Sequence, residues 1–247
     1  MSQINEVIIQ ILGVAYSYQP SLAFRKKKTA GLTAHHSSQH QDFSYFFKGF
    51  SDTVVCAGEN LLMIQDPQTG ATANHWPEPE LAILLGHDHQ IVAYSLANDF
   101  TAHSIELRGR TAEFDGTFFG KCWPGSCAIG PRWFAPEEIG DDSRLDIGLK
   151  IVRAGQLIYD HAYNTARRRY PFCDIPPMIV KYASEFAENP PPSKRVLLNN
   201  SGLLPSGTVI LLGTGIIVKE QYYSQPGDEL TIYSPKFGEL TNKVVSL

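Results

Sequence analysis

The sequence predicts a mainly β protein with few helices, that is, an α+β fold. From Phe43 onward, short apolar runs such as "SDTVVCAG", "ELAILLG" and "QIVAYSLANDF" alternate with Gly, Pro, Asn and Asp. This punctuation is typical of consecutive strands. Only one segment, "PPMIVKYASEFAEN", has the length and the bounding prolines of a helix.

Local patterns predict the individual elements. "IGLKIVRAGQLIYD" indicates a hairpin whose turn is formed by Ala154 and Gly155. "GHDHQ", residues 86–90, indicates a second turn between two strands. Residues 30–42 have no apolar period and predict a mobile loop. We therefore expect an N-terminal segment, 1–42, with a mobile His-rich loop, and a main domain, 43–247.

Composition excludes several classes of protein. The net charge of −4 argues against nucleic-acid binding, because phosphate recognition normally leaves a basic excess. The apolar "INEVIIQILGVAY" follows no basic region and is far shorter than the roughly 20 residues that span a bilayer, so we expect neither export nor a membrane anchor. The cysteines form no C-x-x-C pair and are expected to be the reduced thiols of a cytoplasmic protein. They are Cys56, Cys122, Cys127 and Cys173.

Two glutamates stand at the start of a predicted strand in "WPEPELAILLG", residues 76–86. Because alternate side chains of a strand share a face, Glu78 and Glu80 point to the same side. The turn at 86–90 lays the next strand antiparallel to the first. Counting outward from that turn brings Asp99 within one or two residues of Glu78. The sequence therefore predicts three converging carboxylates.

Three carboxylates a few ångströms apart repel one another, and a divalent cation would compensate their charge. Oxygen ligands favour a hard ion, so we expect Mg²⁺ first and Mn²⁺ or Ca²⁺ next. Three protein ligands leave positions open for water and substrate. Spacing alone equally permits an alternative, in which Glu78 is a surface residue before a strand and Asp99 an ordinary turn former.

Six motifs, in the same order, resemble those of the fumarylacetoacetate hydrolase family. The E-x-E pair of "EPELA" and the aspartate of "AYSLANDFTAHSIE" resemble the family's metal site. The other four are "FSYFFKG" (F-x-K), "GKCWPGSCAIGP" (the lysine-containing strand), "GTVILLGTGIIV" (T-G-T) and "PGDELTIYSPKFGELTNKV" (G-D and G-x-L-x-N). The resemblance covers roughly 43–247 and implies a catalytic domain with a mixed β-sandwich/roll, preceded by a shortened N-terminal segment.

The resemblance implies an enzyme whose small-molecule substrate is a 2-oxo acid. "SCAIGP", the Ile105-Glu106 pair and "FAENPPP" ahead of the T-G-T segment are most similar to the 2-keto-3-deoxy sugar acid dehydratases. The implied reaction is dehydration of such an acid through a metal-stabilised enolate. A C–C hydrolase of fumarylacetoacetate or acylpyruvate, an oxaloacetate-type decarboxylase, and a degenerate relative that only binds metal and ligand stay open as alternatives. We expect a homodimer or higher homo-oligomer, as is common in the family.

The same resemblance implies roles for individual residues beside the metal ligands. Lys121, expected on a strand facing the metal, would stabilise an enolate or hold the substrate carboxylate, unless it is a surface lysine. Glu106 is the candidate general base, with a turn or helix-cap acid as the alternative. Thr214 matches the second threonine of T-G-T and would donate its hydroxyl to the substrate carboxylate, unless Gly-Thr-Gly only marks a bulge.

Two positions depart from the family pattern. His103 stands where the family's S-A-R-D has an arginine that faces the substrate. An imidazole is a poorer carboxylate clamp than a guanidinium fork, so a different substrate is expected. Leu212 replaces the first threonine of T-G-T, and the stretch between Glu106 and Lys121 also departs from the dehydratases.

Other polar residues are predicted to serve structure. Lys48 is expected beside an aromatic cluster, with its ammonium reaching for solvent. His87 and His89 are expected at an exposed turn rather than on a metal. The polar tract that corresponds in position to a His/Glu lid dyad of the family is favoured as a plain flexible loop, because its spacing differs. That tract contains His35, His36, His40 and Asp42.

Overall fold

The computed structural model describes residues 8–15, 17–18, 43–109, 114–186 and 189–247. In these ranges the predicted mainly β, α+β fold class is confirmed. The strands are β1 (Gln10–Ala15), β2 (Ser44–Gly49), β3 (Val54–Val55), β4 (Asn60–Met63), β5 (His75–Trp76), β6 (Pro79–Leu85), β7 (Ile91–Asp99), β8 (Thr101–Ala102), β9 (Cys127–Phe134), β10 (Asp146–Arg153), β11 (Gln156–Asn164), β12 (Thr208–Leu211), β13 (Glu229–Ser234) and β14 (Gly238–Ser246).

Short helices connect these strands. The α-helices are α1 (His103–Glu106), α2 (Gly116–Lys121), α3 (Pro136–Ile139) and α4 (Ile175–Ser184). The last of these is the helix that the sequence predicts, and it has proline in its first turn. Its buried residues Ile175, Ile179 and Ala183 repeat every fourth position, so one face of the helix packs on the core. No helix in the described ranges is long and apolar enough to cross a membrane.

Two sheets form the body of the fold. The first has seven strands in the order β2-β1-β12-β6-β7-β9-β3, and the second has five in the order β11-β10-β13-β14-β4. Strand β1 pairs in parallel with β12 and antiparallel with β2. This strand belongs to the segment 1–42 and yet occupies an interior position of the larger sheet. The division of the chain at residue 42 stays a prediction.

The hydrophobic core lies between the two sheets. Residues of β6 that alternate along one face, Leu81, Ile83 and Leu85, join the same buried cluster as Ile147 and Leu149 of β10. The opposite face of β6 carries Ala82 and Leu84, which join a second apolar cluster. Because strand side chains alternate, Glu80 shares that second face. Glu80 therefore lies at one end of a face of β6 that is otherwise apolar.

Both predicted hairpins are confirmed. Strands β10 and β11 pair antiparallel, and the turn residues Ala154 and Gly155 have φ values of 49° and 77°. Strands β6 and β7 pair around a turn at His87–His89. His87 is exposed there, and His89 Nε2 accepts a hydrogen bond from the backbone N–H of Leu204 at 3.0 Å. This turn therefore serves structure, as expected.

The four cysteines are free thiols. Cys127 is buried in β9, Cys56 and Cys122 are half-buried, and Cys173 is exposed.

Candidate metal and substrate site

Three carboxylates converge at the start of β6 and the end of β7. The register pairs Pro79 with Asn98, which places the neighbouring Glu78 opposite Asp99, and the Asp99 N–H donates to the Glu78 carbonyl at 3.0 Å. One oxygen each of Glu78, Glu80 and Asp99 lies within 4.8 Å of the others. The carboxylates meet as the strand alternation and turn predict. Their role as metal ligands stays a prediction.

Fixed donors orient two of these carboxylates. Glu80 Oε2 accepts from the backbone N–H of Gly213 at 2.6 Å. Glu78 Oε1 accepts from Trp76 Nε1 and from Thr101 Oγ1, both at 2.8 Å. The sequence reasoning missed Trp76 and Thr101. Their positions beside the two acidic motifs were the available signal.

Lys121 lies inside the cluster. Its Nζ donates to Glu78 Oε1 at 2.8 Å and to Asp99 Oδ2 at 2.7 Å. The prediction that Lys121 lies on a strand is wrong, because it is the last residue of α2. Asp115 caps this helix by accepting the N–H of Phe118 at 3.1 Å, which starts a helical turn where we expected extended chain.

Lys48 also belongs to the cluster, and the prediction that it reaches for solvent is wrong. Its Nζ lies 2.5 Å from Asp99 Oδ1, and its side chain has no exposed area. Strand β2 places the lysine on the inner side of the sheet, where Asp99 is the partner for its charge. A lysine within the aromatic stretch "FSYFFKG" was a usable signal, because a buried ammonium requires a counter-charge.

The two lysines do not satisfy all of the negative charge. Burial, together with the nearby Asp99 and Glu78, raises the pKa of Glu80 well above its usual value. Burial also raises the pKa of Glu78, although Lys121 opposes this shift. For Lys121 itself, burial works against the ammonium, but Asp99, Glu78 and Glu106 more than offset it and raise its pKa well above the usual value.

These charges fit a divalent cation. Glu106 is buried and close enough for its charge to raise the pKa of Glu78. Among the described residues, four carboxylates therefore face two ammonium groups, and one dication would balance the difference of two charges. The donors of the converging triad are all carboxylate oxygens, which suit a hard ion such as Mg²⁺.

His103 and Glu106 border the cluster on α1. The His103 ring stacks on Trp76, with centroids 3.7 Å apart and an interplanar angle of 25°. Its Nδ1 lies 3.7 Å from Glu106 Oε2. The same Trp76 bonds to Glu78, so the imidazole is one side chain away from the carboxylate triad. The position expected to face substrate is therefore next to the candidate metal site.

Thr214 lies three residues after the end of strand β12. The prediction that the whole segment "GTVILLGTGIIV" is extended is wrong after Leu211. Gly213 has a φ of 77°, and a Cβ there would lie 2.9 Å from the Val14 carbonyl oxygen, so only glycine fits and aims its N–H at Glu80. The Thr214 hydroxyl bonds locally, accepting from the Ile216 N–H at 3.1 Å. Leu212 is fully buried in the core.

One candidate group falls outside the described residues. The polar tract that corresponds in position to the family's lid dyad lies between residues 19 and 42. It comprises His35, His36, His40 and Asp42.

Almost the whole chain matches a known protein family. The family model for the C-terminal part of fumarylacetoacetate (FAA) hydrolase matches residues 11–245. A probable 2-keto-3-deoxyxylonate dehydratase of Haloferax volcanii is 30% identical over 202 residues, which are 82% of this chain and 60% of the relative. A 2-dehydro-3-deoxy-D-arabinonate dehydratase of Saccharolobus solfataricus is 28% identical over 174 residues, which are 70% of this chain and 48% of the relative.

Solved structures share the fold. A 2-keto-3-deoxy-D-arabinonate dehydratase complexed with magnesium and 2,5-dioxopentanoate has a TM-score of 0.71 and 22% identity, covering 96% of this chain and 73% of that one. Its apo form has a TM-score of 0.73 and 24% identity, covering 97% of this chain and 74% of that one. The chain spans only about half to three fifths of the length of the two curated relatives.

Proposed function

Because this chain belongs to the fumarylacetoacetate hydrolase family, we propose that it is a Mg²⁺-dependent lyase that dehydrates a 2-keto-3-deoxy sugar acid through an enolate. The observation that carries the proposal is the triad of Glu78, Glu80 and Asp99, of which the last two are buried and whose charge the two described lysines leave unbalanced. The names of the relatives, which are dehydratases of such acids, support the choice of reaction.

The triad would hold the ion. When bound there, Mg²⁺ would act as a Lewis acid toward the carboxylate and keto oxygens of a 2-oxo acid. The backbone N–H of Gly213 and the hydroxyl of Thr101 keep Glu80 and Glu78 turned toward the shared centre. Lys48 holds the far oxygen of Asp99, which restrains this carboxylate as well.

Lys121 and Glu106 would act on the substrate. The raised pKa of Lys121 keeps it cationic at neutral pH, so it serves as a donor to the oxygen that gains negative charge and not as a base. Glu106 is the base that removes a C3 proton, and the electron pair of the broken C–H bond forms the enolate. When the C4–O bond breaks, the proton held by Glu106 passes to the departing hydroxyl, which leaves as water. Thr214 would donate its hydroxyl to the substrate carboxylate.

A metal titration tests the centre directly. We expect calorimetry to show one Mg²⁺ site in the wild type, and Glu80→Gln to weaken the affinity at least tenfold, because one anionic ligand is lost. Glu137→Gln, an exposed carboxylate away from the cluster, is the matched control. Equal Mg²⁺ binding by wild type and Glu80→Gln would contradict the assignment.

A substrate panel tests the reaction. Incubation with a 2-keto-3-deoxy sugar acid, an acylpyruvate and oxaloacetate should show consumption of the sugar acid alone. Consumption of either other compound would favour the hydrolase or decarboxylase chemistry of the family. Metal-dependent ligand binding without any product would favour a relative that no longer catalyses the reaction.

We also propose that the protein acts in the cytoplasm as a homodimer or higher homo-oligomer. Four free thiols support a reducing compartment. Light scattering coupled to size-exclusion chromatography measures the assembly, and a monomer at micromolar concentration would contradict this part of the proposal.

A further inference from the structure

His103 is a buried histidine whose ring nitrogens make no hydrogen bond to any described residue. Only 4% of the residue is exposed, and neither Nδ1 nor Nε2 has a hydrogen-bond partner in the part of the chain that the structure describes. The nearest carboxylate oxygen, Glu106 Oε2, lies 3.7 Å from Nδ1, which is longer than a hydrogen bond. A buried polar group without a partner destabilises the fold, so such a group needs an explanation.

A second buried histidine shows that this fold can satisfy an imidazole. His75 is fully buried, with Nδ1 2.8 Å from the Ala73 carbonyl oxygen and Nε2 accepting the Ile64 N–H at 3.1 Å. Both of its nitrogens are therefore used inside the protein. His103 differs, since the ring contacts of its imidazole are aromatic: the ring stacks on Trp76 at 3.7 Å and meets Tyr223 edge-on at 6.2 Å.

The His103 imidazole, whose buried nitrogens make no hydrogen bond within the described residues, lies beside the candidate reaction centre. Trp76, on which His103 stacks, donates to Glu78 of the triad at 2.8 Å. The stack fixes the plane of the imidazole, so its nitrogens are held in place without a hydrogen bond of their own. Ser224, the residue after Tyr223, has a hydroxyl that is likewise buried without a partner in the described ranges. The segment that contacts the His103 ring therefore carries a second unpartnered polar group in these ranges.

We propose that His103 is the specificity-determining residue that binds a hydroxyl on the tail of the 2-oxo acid and disfavours a second carboxylate there. This inference rests on the proposed function. A neutral imidazole has one donor and one acceptor, which matches a hydroxyl, whereas a carboxylate can only accept. Glu106 lies close to the same ring, and its negative charge repels an anionic tail.

The test uses three 2-oxo acids that share a head and cannot lose water at C4. They are 2-oxopentanoate, 5-hydroxy-2-oxopentanoate and 2-oxoglutarate, which end in a methyl, a hydroxyl and a carboxylate. Binding to the Mg²⁺-loaded protein is measured by calorimetry. We expect the wild type to bind the hydroxyl compound about tenfold more tightly than the methyl compound, and 2-oxoglutarate most weakly.

Variants of His103 distinguish binding of the tail of the 2-oxo acid from binding of its head at the metal. His103→Phe keeps an aromatic stack on Trp76 and should lose the hydroxyl preference while it binds 2-oxopentanoate as the wild type does. His103→Gln, which restores a donor and an acceptor, should recover part of that preference. His103→Arg should bind 2-oxoglutarate best of the three.

The outcomes distinguish this inference from the proposed function. If wild type and His103→Phe show the same hydroxyl preference, the role of His103 is overturned although the metal site stands. If the wild type does not bind even 2-oxopentanoate in the presence of Mg²⁺, the proposed function itself fails, and the inference fails with it.

Discussion

Two clusters of charged residues, a partly buried ion pair and the acidic cluster of the candidate site, differ in how well their charges are matched. Arg153 Nε and Nη2 donate to the two carboxylate oxygens of Asp228, each at 2.8 Å, so one cation meets one anion in a bidentate pair. Arg153 also donates to the Tyr223 carbonyl at 2.7 Å, and Asp228 accepts the Gln225 N–H at 2.8 Å. The pair is complete within the chain and anchors the turn that carries Tyr223.

The acidic cluster is not complete in this way. Within the described residues its four carboxylates have two lysines, and burial together with the neighbouring Asp99 and Glu78 raises the pKa of Glu80 well above its usual value. A matched pair stabilises a fold, whereas a buried mismatch indicates a place where a charged ligand is expected. Substitutions in the Arg153–Asp228 pair should therefore affect stability, and substitutions in the acidic cluster should affect function.

The largest effect is expected from the cluster. Lys121→Met should lower kcat/KM by about a thousandfold, roughly 4 kcal/mol, because a donor to the developing oxyanion is lost. Mg²⁺ affinity should stay equal or rise, since the ammonium no longer occupies Glu78 and Asp99. Lys150→Met, a partly exposed lysine, is the control. A loss of less than tenfold would remove Lys121 from the mechanism.

Breaking the matched pair should have the opposite profile. Asp228→Asn leaves the charge of the partly exposed Arg153 unpaired and should lower the free energy of unfolding by about 2 kcal/mol, while Mg²⁺ affinity changes less than twofold. Urea denaturation measures the stability. Glu239→Gln breaks an exposed pair with Lys150 and should cost less than about 1 kcal/mol. Similar costs for both variants would contradict the distinction.

His75, which is buried with both ring nitrogens hydrogen-bonded, predicts a pH dependence of stability. Burial lowers the pKa of His75 from 6.5 to about 4, so between these values the unfolded chain binds a proton that the folded chain does not. The contribution of His75 is complete above pH 6.5 and falls as the pH drops toward 4, by at most about 3 kcal/mol.

Comparison with a variant isolates this contribution from other titrating groups. The stability advantage of wild type over His75→Gln, measured with urea at pH 7.5 and at pH 4.5, should shrink at the lower pH. Glu80, with its raised pKa, changes stability in the opposite direction, but it is present in both proteins. An advantage that does not depend on pH would show that His75 is not held neutral.

The smallest effect is expected at Thr214, whose hydroxyl combines a structural hydrogen bond with a proposed contact to substrate. Its hydroxyl accepts the Ile216 N–H, so Thr214→Val should lower the free energy of unfolding by about 1 kcal/mol. If the hydroxyl also donates to the substrate carboxylate, KM should rise about fivefold, whereas Thr214→Ser should behave as the wild type. An unchanged KM in Thr214→Val would limit the hydroxyl to its local turn.

Local patterns in the sequence predicted much of the fold and the acidic part of the site. The alternation of strand side chains and the turn at 86–90 were enough to bring Glu78, Glu80 and Asp99 together, because both depend only on neighbouring residues. The hairpin at Ala154 and the helix Ile175–Ser184 were predictable for the same reason.

The positive half of the site depended on tertiary structure. Lys48 reaches Asp99 from β2, and Lys121 reaches it from the end of a short helix, so both contacts join segments far apart in the chain. Likewise, nothing local indicates that His103 stacks on Trp76 without a hydrogen bond to a described residue, while both ring nitrogens of His75 are hydrogen-bonded. Chain periodicity determines which side chains share a face. Long-range packing determines which charges are left unbalanced, because that depends on every element that contacts the site.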